Sequence, residues 1–560
     1  MTAQEPLWVK NYQPGVPAVI ELPTGSLTAM VEDAVQRFGP KVALEFFGAE
    51  TTYAELGNQI DRAAEGLRRL GVRKGQRVAV ILPNCPQYLV AFYAVLRLGA
   101  VVVSHNPLYT ERELRHQFEN HGAQVAIAWD KAVEKIQAFP EDLAVKTVIA
   151  VDITKAMPWT KRAALRLPLP SVRRTRAGLT AKTENTLAWE KLLEAAPIDP
   201  AHPRPAVQDL AALQYTSGTT GVPKGAMLTH YNLRSNALQG QAWMHGAEEG
   251  REVIYGVLPM FHAFGLTLYL TFAMLTGSRL VLFPKFDVDL VLKAAKKSRP
   301  TIFCAVPPIY ERVALESKKR GIDISTIRFA ISGAMALPQS TVELWEEVSG
   351  GLLVEGYGLT ESSPVALGNP FAPTRRNGTI GVPFPSTEMR VVDPGKPSEE
   401  VAQGSPGELL IRGPQVFAGY WNNPEDTEEV LLADGWLRTG DIVTVDEDGF
   451  VKVVDRRKEL IITGGFNVSP SEVEEVLRSH QDIADAAVVG LPGDGGEQVV
   501  AAVVLRPDTE LDVAALQAWC RERLTPYKVP RRFTAVQELP KSMLGKVLRR
   551  EVRGMLGGDG

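Results

Sequence analysis

Apolar positions along the chain fall into short β-branched runs separated by longer stretches of helical length. RVAVILP (77–83) is followed by QYLVAFYAVLRLG (87–99) and then by AVVVSHNP (100–107). The first and third read as strands and the second as a helix. KTVIAVD, EVIYGVLP, RLVLFP, TIFCAVP, IRFAISG and LLVEGYG repeat the strand pattern between residues 146 and 358. Strand–helix alternation of this kind predicts an α/β architecture with largely parallel sheets, whose ligands bind at the carboxyl ends of the strands. TYAE at 52–55 sets a threonine three positions before a glutamate, a capping box that opens a helix.

After about residue 377 the character changes. MRVVD, GELLIRG and FVKVVD are short strands joined by Gly/Pro/Asp turns, as in an antiparallel β unit. Past Arg456, SEVEEVLRSH and VAALQAWCRERL read as helices, and AAVVGLP and VVAAVVLRP as strands. The expected organisation is a large domain over 1–455, with α/β sheets and a β-rich subdomain, and a small α+β domain over 456–560.

Two stretches depart from the pattern. Residues 257–278 hold no Asp, Glu, Lys or Arg, a length that reaches across a bilayer. Pro259, His262, Gly265 and four Ser/Thr residues make a buried helix lining a cavity the better reading. Residues 155–182 carry eight Lys/Arg and no acid, with prolines that break any long helix. That segment is either a solvated insertion or a reversible contact with an anionic membrane. Elsewhere composition is ordinary, and a net charge of −4 gives a nucleic-acid partner no electrostatic support. Three scattered cysteines and a start without a signal-peptide core predict a cytoplasmic protein with reduced thiols.

The densest chemistry lies at 215–230, YTSGTTGVPKGAMLTH. Glycines allow backbone N–H groups to approach a ligand, hydroxyls donate to oxygens, and one lysine supplies a positive charge. Those features suit a polyphosphate. The usual G-x-x-x-x-G-K-[ST] loop is absent: Gly218 and Gly221 are too close, and Gly225 follows Lys224. Further along come GYGLTE (356–361), GWLRTGD (435–441), DRRKELIITGG (455–465) and PKSMLGK (540–546). A tyrosine that could stack on a base, a carboxylate for Mg²⁺, an aspartate for ribose hydroxyls and a late lysine follow one another in that order.

In this order and spacing the motifs resemble the adenylate-forming superfamily of acyl-CoA synthetases, peptide-synthetase adenylation domains and firefly-type luciferases. The resemblance covers essentially the whole chain. VVVSHNPLYTERELRHQFEN and MFHAFGLTLYL look most like bacterial long-chain fatty acid–CoA ligases. It implies ATP-dependent formation of an acyl-AMP from a fatty acid, then transfer to coenzyme A, with Mg²⁺ as the metal and a small domain that moves between the two steps. It also implies roles for particular residues. Thr216, Ser217, Gly218, Thr219, Thr220 and Lys224 match the phosphate loop. Gly333, Ala334 and Met335 match the strand end beside adenine and the acyl group. Tyr357 and Gly358 match the adenine platform, Thr360 an α-phosphate contact and Glu361 the metal ligand. Asp441 and Arg456 match ribose binders, and Lys458 the interdomain hinge, where many relatives have aspartate. Gly464 and Gly465 match the pantetheine channel, His262 the acyl tunnel and Lys546 the lysine that bridges the carboxylate and α-phosphate. A homodimer and attachment to the inner face of the cell membrane belong to the same expectation. Medium-chain or aryl-acid CoA ligases, an acyl-AMP ligase and a luciferase-like oxygenase share the motifs. A non-catalytic ATP-binding scaffold predicts loss of Lys224, Glu361, Asp441 or Lys546, and all four are present.

Overall fold

The computed structural model describes residues 6–216, 223–456, 459–463, 466–493, 496–542 and 545–557. Among them are four sheets. The first runs Leu187–Ala188, Thr147–Val151, Val125–Trp129, Arg77–Ile81, Val101–Ser104, Leu210–Thr216, Lys224–Thr229. It is parallel except for its last pair. The second has nine strands, with a parallel centre from Leu353–Gly358 to Val42–Phe46 and antiparallel strands at both ends. Residues 388–456 form an antiparallel five-stranded sheet, and 461–535 a mixed sheet that also has five strands.

The α/β expectation is met, and the packing explains the near-continuous apolar runs. One apolar cluster takes in Val78, Val102 and Ile127 from the first sheet and Leu44, Ile254 and Ile302 from the second. Helix Pro86–Arg97 packs into the same cluster and buries every one of its residues, and apart from Gln87 and Arg97 its sequence has no amide or charged side chain. Residues 461–533 bury a separate cluster around Val473, Val488 and Phe533. The capping box forms as read: Thr52 N–H donates to Glu55 Oε2 at 2.8 Å and Glu55 N–H to Thr52 Oγ1 at 3.2 Å. Thr110 and Glu113 repeat it at the start of helix Glu111–His121.

The uncharged stretch at 257–278 is buried, with an irregular helical path. A short α turn, Ala263–Gly265, passes into a π-helix over Leu266–Phe272 and returns to α at Ala273–Leu275. No helix among the described residues is long and apolar enough to cross a membrane. Residues 155–182 hold two short helices, Trp159–Ala164 and Pro170–Leu179, and neither has a buried residue.

Candidate functional site

The hydroxyl-rich loop joins two strands that pair with each other. Leu210–Thr216 and Lys224–Thr229 run antiparallel, with Thr216 directly opposite Lys224. The strands therefore bring the two ends of the loop together. Ser217, Gly218, Thr219 and Thr220 lie outside the described residues. The Lys224 ammonium is 2.7 Å from Asp426, in the first turn of helix Pro424–Val430, and 5.4 Å from the centroid of the Tyr420 ring. Tyr420 in turn donates its phenol hydrogen to Glu361 Oε1 at 2.6 Å. Burial, and then the charge of Glu361, push the Tyr420 phenol well up from its usual range, so it stays a donor.

Strand ends of the second sheet form the opposite wall. Strand Leu353–Gly358 carries Tyr357, whose hydroxyl bonds the Asp441 carboxylate. Asp441 is buried and stands opposite Arg456 in the antiparallel register of Leu437–Val445 and Val451–Arg456. Gly358 has to be glycine: a Cβ there would lie 1.9 Å from the Pro364 carbonyl oxygen. Thr360 and Glu361 follow in a single 3₁₀ turn. Beside them, strand Phe329–Ser332 ends in Gly333, Ala334 and Met335, and Ala334 takes a left-handed φ of 65°. Glu355, two residues before Tyr357, reaches under this loop and accepts the Leu337 N–H at 3.4 Å. Burial lifts its carboxyl to about 8.

An apolar arm extends from these groups. His262 caps the turn before the π-helix, accepting the Phe264 N–H at 3.4 Å. It lines the cavity, yet enough protein surrounds the ring to lower its pKa to about 4, so it is neutral at pH 7. Thr267, Leu268, Phe272, Gly240 and Trp243 continue the wall. π-helical turns widen a helix locally and recur at functional sites.

The chain end closes the cavity from the other side. Ser542 N–H donates to the Lys546 carbonyl at 2.7 Å, and Lys546 N–H to Ser542 Oγ at 3.1 Å. Within that turn Gly545 has φ +83°, and a Cβ there would lie 3.3 Å from Met335 Sδ. The turn bearing Lys546 therefore rests on the loop after Phe329–Ser332. Thr216, Lys224, His262, Gly333, Ala334, Tyr357, Gly358, Thr360, Glu361 and Lys546 all line one cavity of about 1280 Å³. Met335 and Asp441 support it through the contacts above. Lys458, Gly464 and Gly465 lie outside the described residues.

Asp426, Tyr420 and Glu355 escaped the sequence reading. Asp426 and Tyr420 carried no signal beyond an ordinary helix start and an aromatic before it. Glu355 lay next to GYGLTE, but a lone glutamate in a strand gives no hint of burial.

Residues 31–421 match the family described as AMP-binding enzyme, and 472–546 match the AMP-binding enzyme C-terminal domain. The chain belongs to the AMP-binding enzyme family. Among relatives of this AMP-binding enzyme, a long-chain-fatty-acid–CoA ligase of Bacillus subtilis is 39% identical, over 99% of this chain and 98% of that protein. Among solved structures, ATP-bound MatB from Rhodopseudomonas palustris superposes with a TM-score of 0.80 at 29% identity, over 95% of this chain and 99% of that one. The apo form of the same MatB gives 0.71 at the same identity and the same coverage of both chains. The arrangement of this AMP-binding enzyme is thus nearer to that of the ATP-bound relative.

Proposed function

We propose that the chain is a long-chain fatty acid–CoA ligase that makes acyl-AMP and pyrophosphate, then acyl-CoA and AMP. What carries the reading is the junction, in one cavity, of an apolar arm with a polar pocket holding Thr216, Lys224, Glu361 and Lys546. The relatives named above and the family membership support the same two-step chemistry. We place the division of the chain at 455/456, with the hinge at Lys458. A cytoplasmic enzyme attached to the inner face of the membrane goes with this reading, since the acid partitions into bilayers while ATP and CoA stay in water.

A carboxylate is a poor acyl electrophile, because its charge repels a nucleophile and oxide is a poor leaving group. Its attack on the α-phosphate converts it into a mixed anhydride with AMP as the leaving group. In this assignment Tyr357 stacks on adenine and Asp441 accepts from ribose hydroxyls. Thr216, the 217–220 hydroxyls and Lys224 hold the β- and γ-phosphates. Lys224 exchanges its pairing with Asp426 for phosphate, which keeps it desolvated and positioned beforehand. Lys546 bridges the acid and the α-phosphate, where charge develops in the transition state. The oxygen-only donor set around Glu361 fits Mg²⁺, which takes one or two protein carboxylates and completes its shell with phosphate and water. Bound there, Mg²⁺ would supply counter-charge to the phosphates. In the second step Gly464 and Gly465 would line the channel for pantetheine, and the CoA thiol displaces AMP.

The test is pyrophosphate release with straight-chain acids from C8 to C16, alongside benzoate, cinnamate and acetate, with and without CoA. Each buried CH₂ contributes about 0.8 kcal/mol, so apparent affinity should rise about tenfold per two carbons until the arm is full. Preference for benzoate, cinnamate or acetate rejects the long-chain reading. Acyl-AMP that accumulates without consuming CoA rejects the ligase in favour of an acyl-AMP ligase.

A further inference from the structure

The basic segment at 155–182 is seated on the body of the protein by its inner side. Leu165 and Leu179 pack against the large apolar cluster. Lys161 donates to the Phe47 carbonyl at 2.6 Å, Trp129 Nε1 to the Leu179 carbonyl at 2.9 Å, and Lys131 to the Ala177 carbonyl at 2.7 Å. These contacts fix the segment in place and turn the rest of it outward.

That outward side has an unusual composition. Twelve large apolar side chains are exposed among the described residues, and three of them, Trp159, Leu167 and Leu169, fall within eleven positions. Trp159 is 76% exposed, while the chain's other tryptophans are buried or half-buried. All eight basic side chains of the segment are exposed. Lys155 pairs with Glu190 and Lys161 is held by Phe47. Arg162, Arg166, Arg173, Arg174, Arg176 and Lys182 make no ion pair among the described residues. Partial burial first, and then the charges of Lys293 and Lys297 on a neighbouring element, lower the Lys161 ammonium from its ordinary value, against the charge of Glu45.

Topology places this face at the carboxyl rim of both large sheets. The segment follows the carboxyl end of Thr147–Val151, and Phe47 follows that of Val42–Phe46. Ser104, Thr216, Gly333 and Gly358, at the same ends of other strands farther along these two sheets, line the cavity.

We propose that Trp159, Leu167 and Leu169, together with the exposed Arg162, Arg166, Arg173, Arg174 and Arg176 of the same segment, form the surface by which this enzyme binds an anionic lipid bilayer. Apolar side chains and an indole enter the headgroup layer while arginines meet lipid phosphates. Nucleic acid offers phosphates too, but gives three exposed apolar side chains nothing to enter. The proposal deepens the ligase reading by naming where the protein meets the membrane, and rests on that reading only for the purpose of the contact.

The test is co-sedimentation of the full chain with vesicles of phosphatidylcholine alone or with one-third phosphatidylglycerol, at about 50 and about 500 mM salt. Binding should need phosphatidylglycerol and weaken with salt. Replacing Arg173, Arg174 and Arg176 together with Ser should weaken low-salt binding about 100-fold, on a basis of about fivefold per charge. Trp159→Ser should remove most of the binding that survives high salt. Neither helix has a buried residue, so both variants should keep the parent's thermal unfolding midpoint. Equal vesicle binding by parent and triple variant, or equal binding to neutral lipid, overturns the proposal. Capture of labelled duplex DNA more tightly than vesicles overturns it in favour of a nucleic-acid surface. The assay contains neither ATP nor acid. A protein that binds anionic vesicles but activates no fatty acid therefore refutes the ligase reading alone.

Discussion

Lys546 sits on a turn whose shape is set by Ser542 and whose glycine rests against Met335. Its assigned work is electrostatic and belongs to the first half-reaction only. Lys546→Ala should lower acyl-AMP formation on the order of 10²–10³-fold, the loss expected for one charge-stabilising donor. Supplied with ready-made acyl-AMP, the variant should still form acyl-CoA at close to the parent rate, and equal losses in both half-reactions would refute the assignment. Asp426 offers a second residue-scale test. If it holds Lys224 ready for phosphate, Asp426→Asn should change KM for ATP by several-fold while leaving acyl transfer from acyl-AMP alone. An unchanged KM for ATP would mean that the pair has no part in nucleotide binding.

At the scale of elements, the site depends on how closely backbone segments approach. Strand Leu353–Gly358 turns into the Thr360–Ser362 turn against the Pro364 carbonyl, leaving no room for a side chain at 358. Gly358→Ala should destabilise the protein by about 2–4 kcal/mol in denaturant titrations, because the strand must shift and Tyr357 moves with it. Gly554 is the contrasting case. It lies inside helix Arg549–Gly557 with ordinary φ and nothing within 4 Å of an added Cβ. Gly554→Ala should therefore stabilise by up to about 1 kcal/mol. A destabilising Gly554→Ala would show that the helix has a neighbour on that face. GYGLTE was legible as a motif, and the fold forces its second glycine, Gly358. Glu355, Tyr420 and Asp426 were not, since their roles come from elements that meet only after folding.

At the scale of the whole molecule, four imidazoles respond to pH together. Desolvation lowers His105, His230 and His262 to about 4, and lowers His121 well below the ordinary imidazole value, with the charge of His105 as its second cause. Unfolded histidine titrates near 6.5, so between about 6.5 and 4 the unfolded chain binds more protons than the folded one. Stability is then complete above 6.5 and lost as pH falls toward 4. Glu355, raised to about 8, and Asp130, raised to about 6, work the other way, and Asp61 is raised too, but four imidazoles that each lose a full protonation step outweigh them between pH 7 and pH 5. The calorimetric unfolding midpoint should fall between pH 7 and pH 5, and a midpoint that rises over that interval contradicts the burial of these rings. A second molecular-scale prediction concerns the hinge. Proline fixes φ and removes an N–H, so Lys458→Pro should spare adenylation and impair thioester formation. Collapse of adenylation with acyl transfer intact would place the hinge elsewhere.

Features that depend on local chemistry were legible along the chain. Strands such as Arg77–Ile81 and Ile302–Ala305, the capping box at Thr52 and Glu55, and the order of the phosphate-loop, GYGLTE, GWLRTGD and late-lysine motifs could all be read from neighbours in the chain. Periodicity, caps and forced glycines act within a few residues, so they leave a mark in the string itself. It took the folded chain to show how the two sheets share one core, that the buried helix in 257–278 is π-helical over Leu266–Phe272, and that Tyr357 meets Asp441 and Tyr420 meets Glu361. Those pairs are 84 and 59 positions apart, and nothing local marks them as partners. The Lys546 turn against Met335 is the extreme case, because it is a contact between distant segments that any movement of the chain end would break.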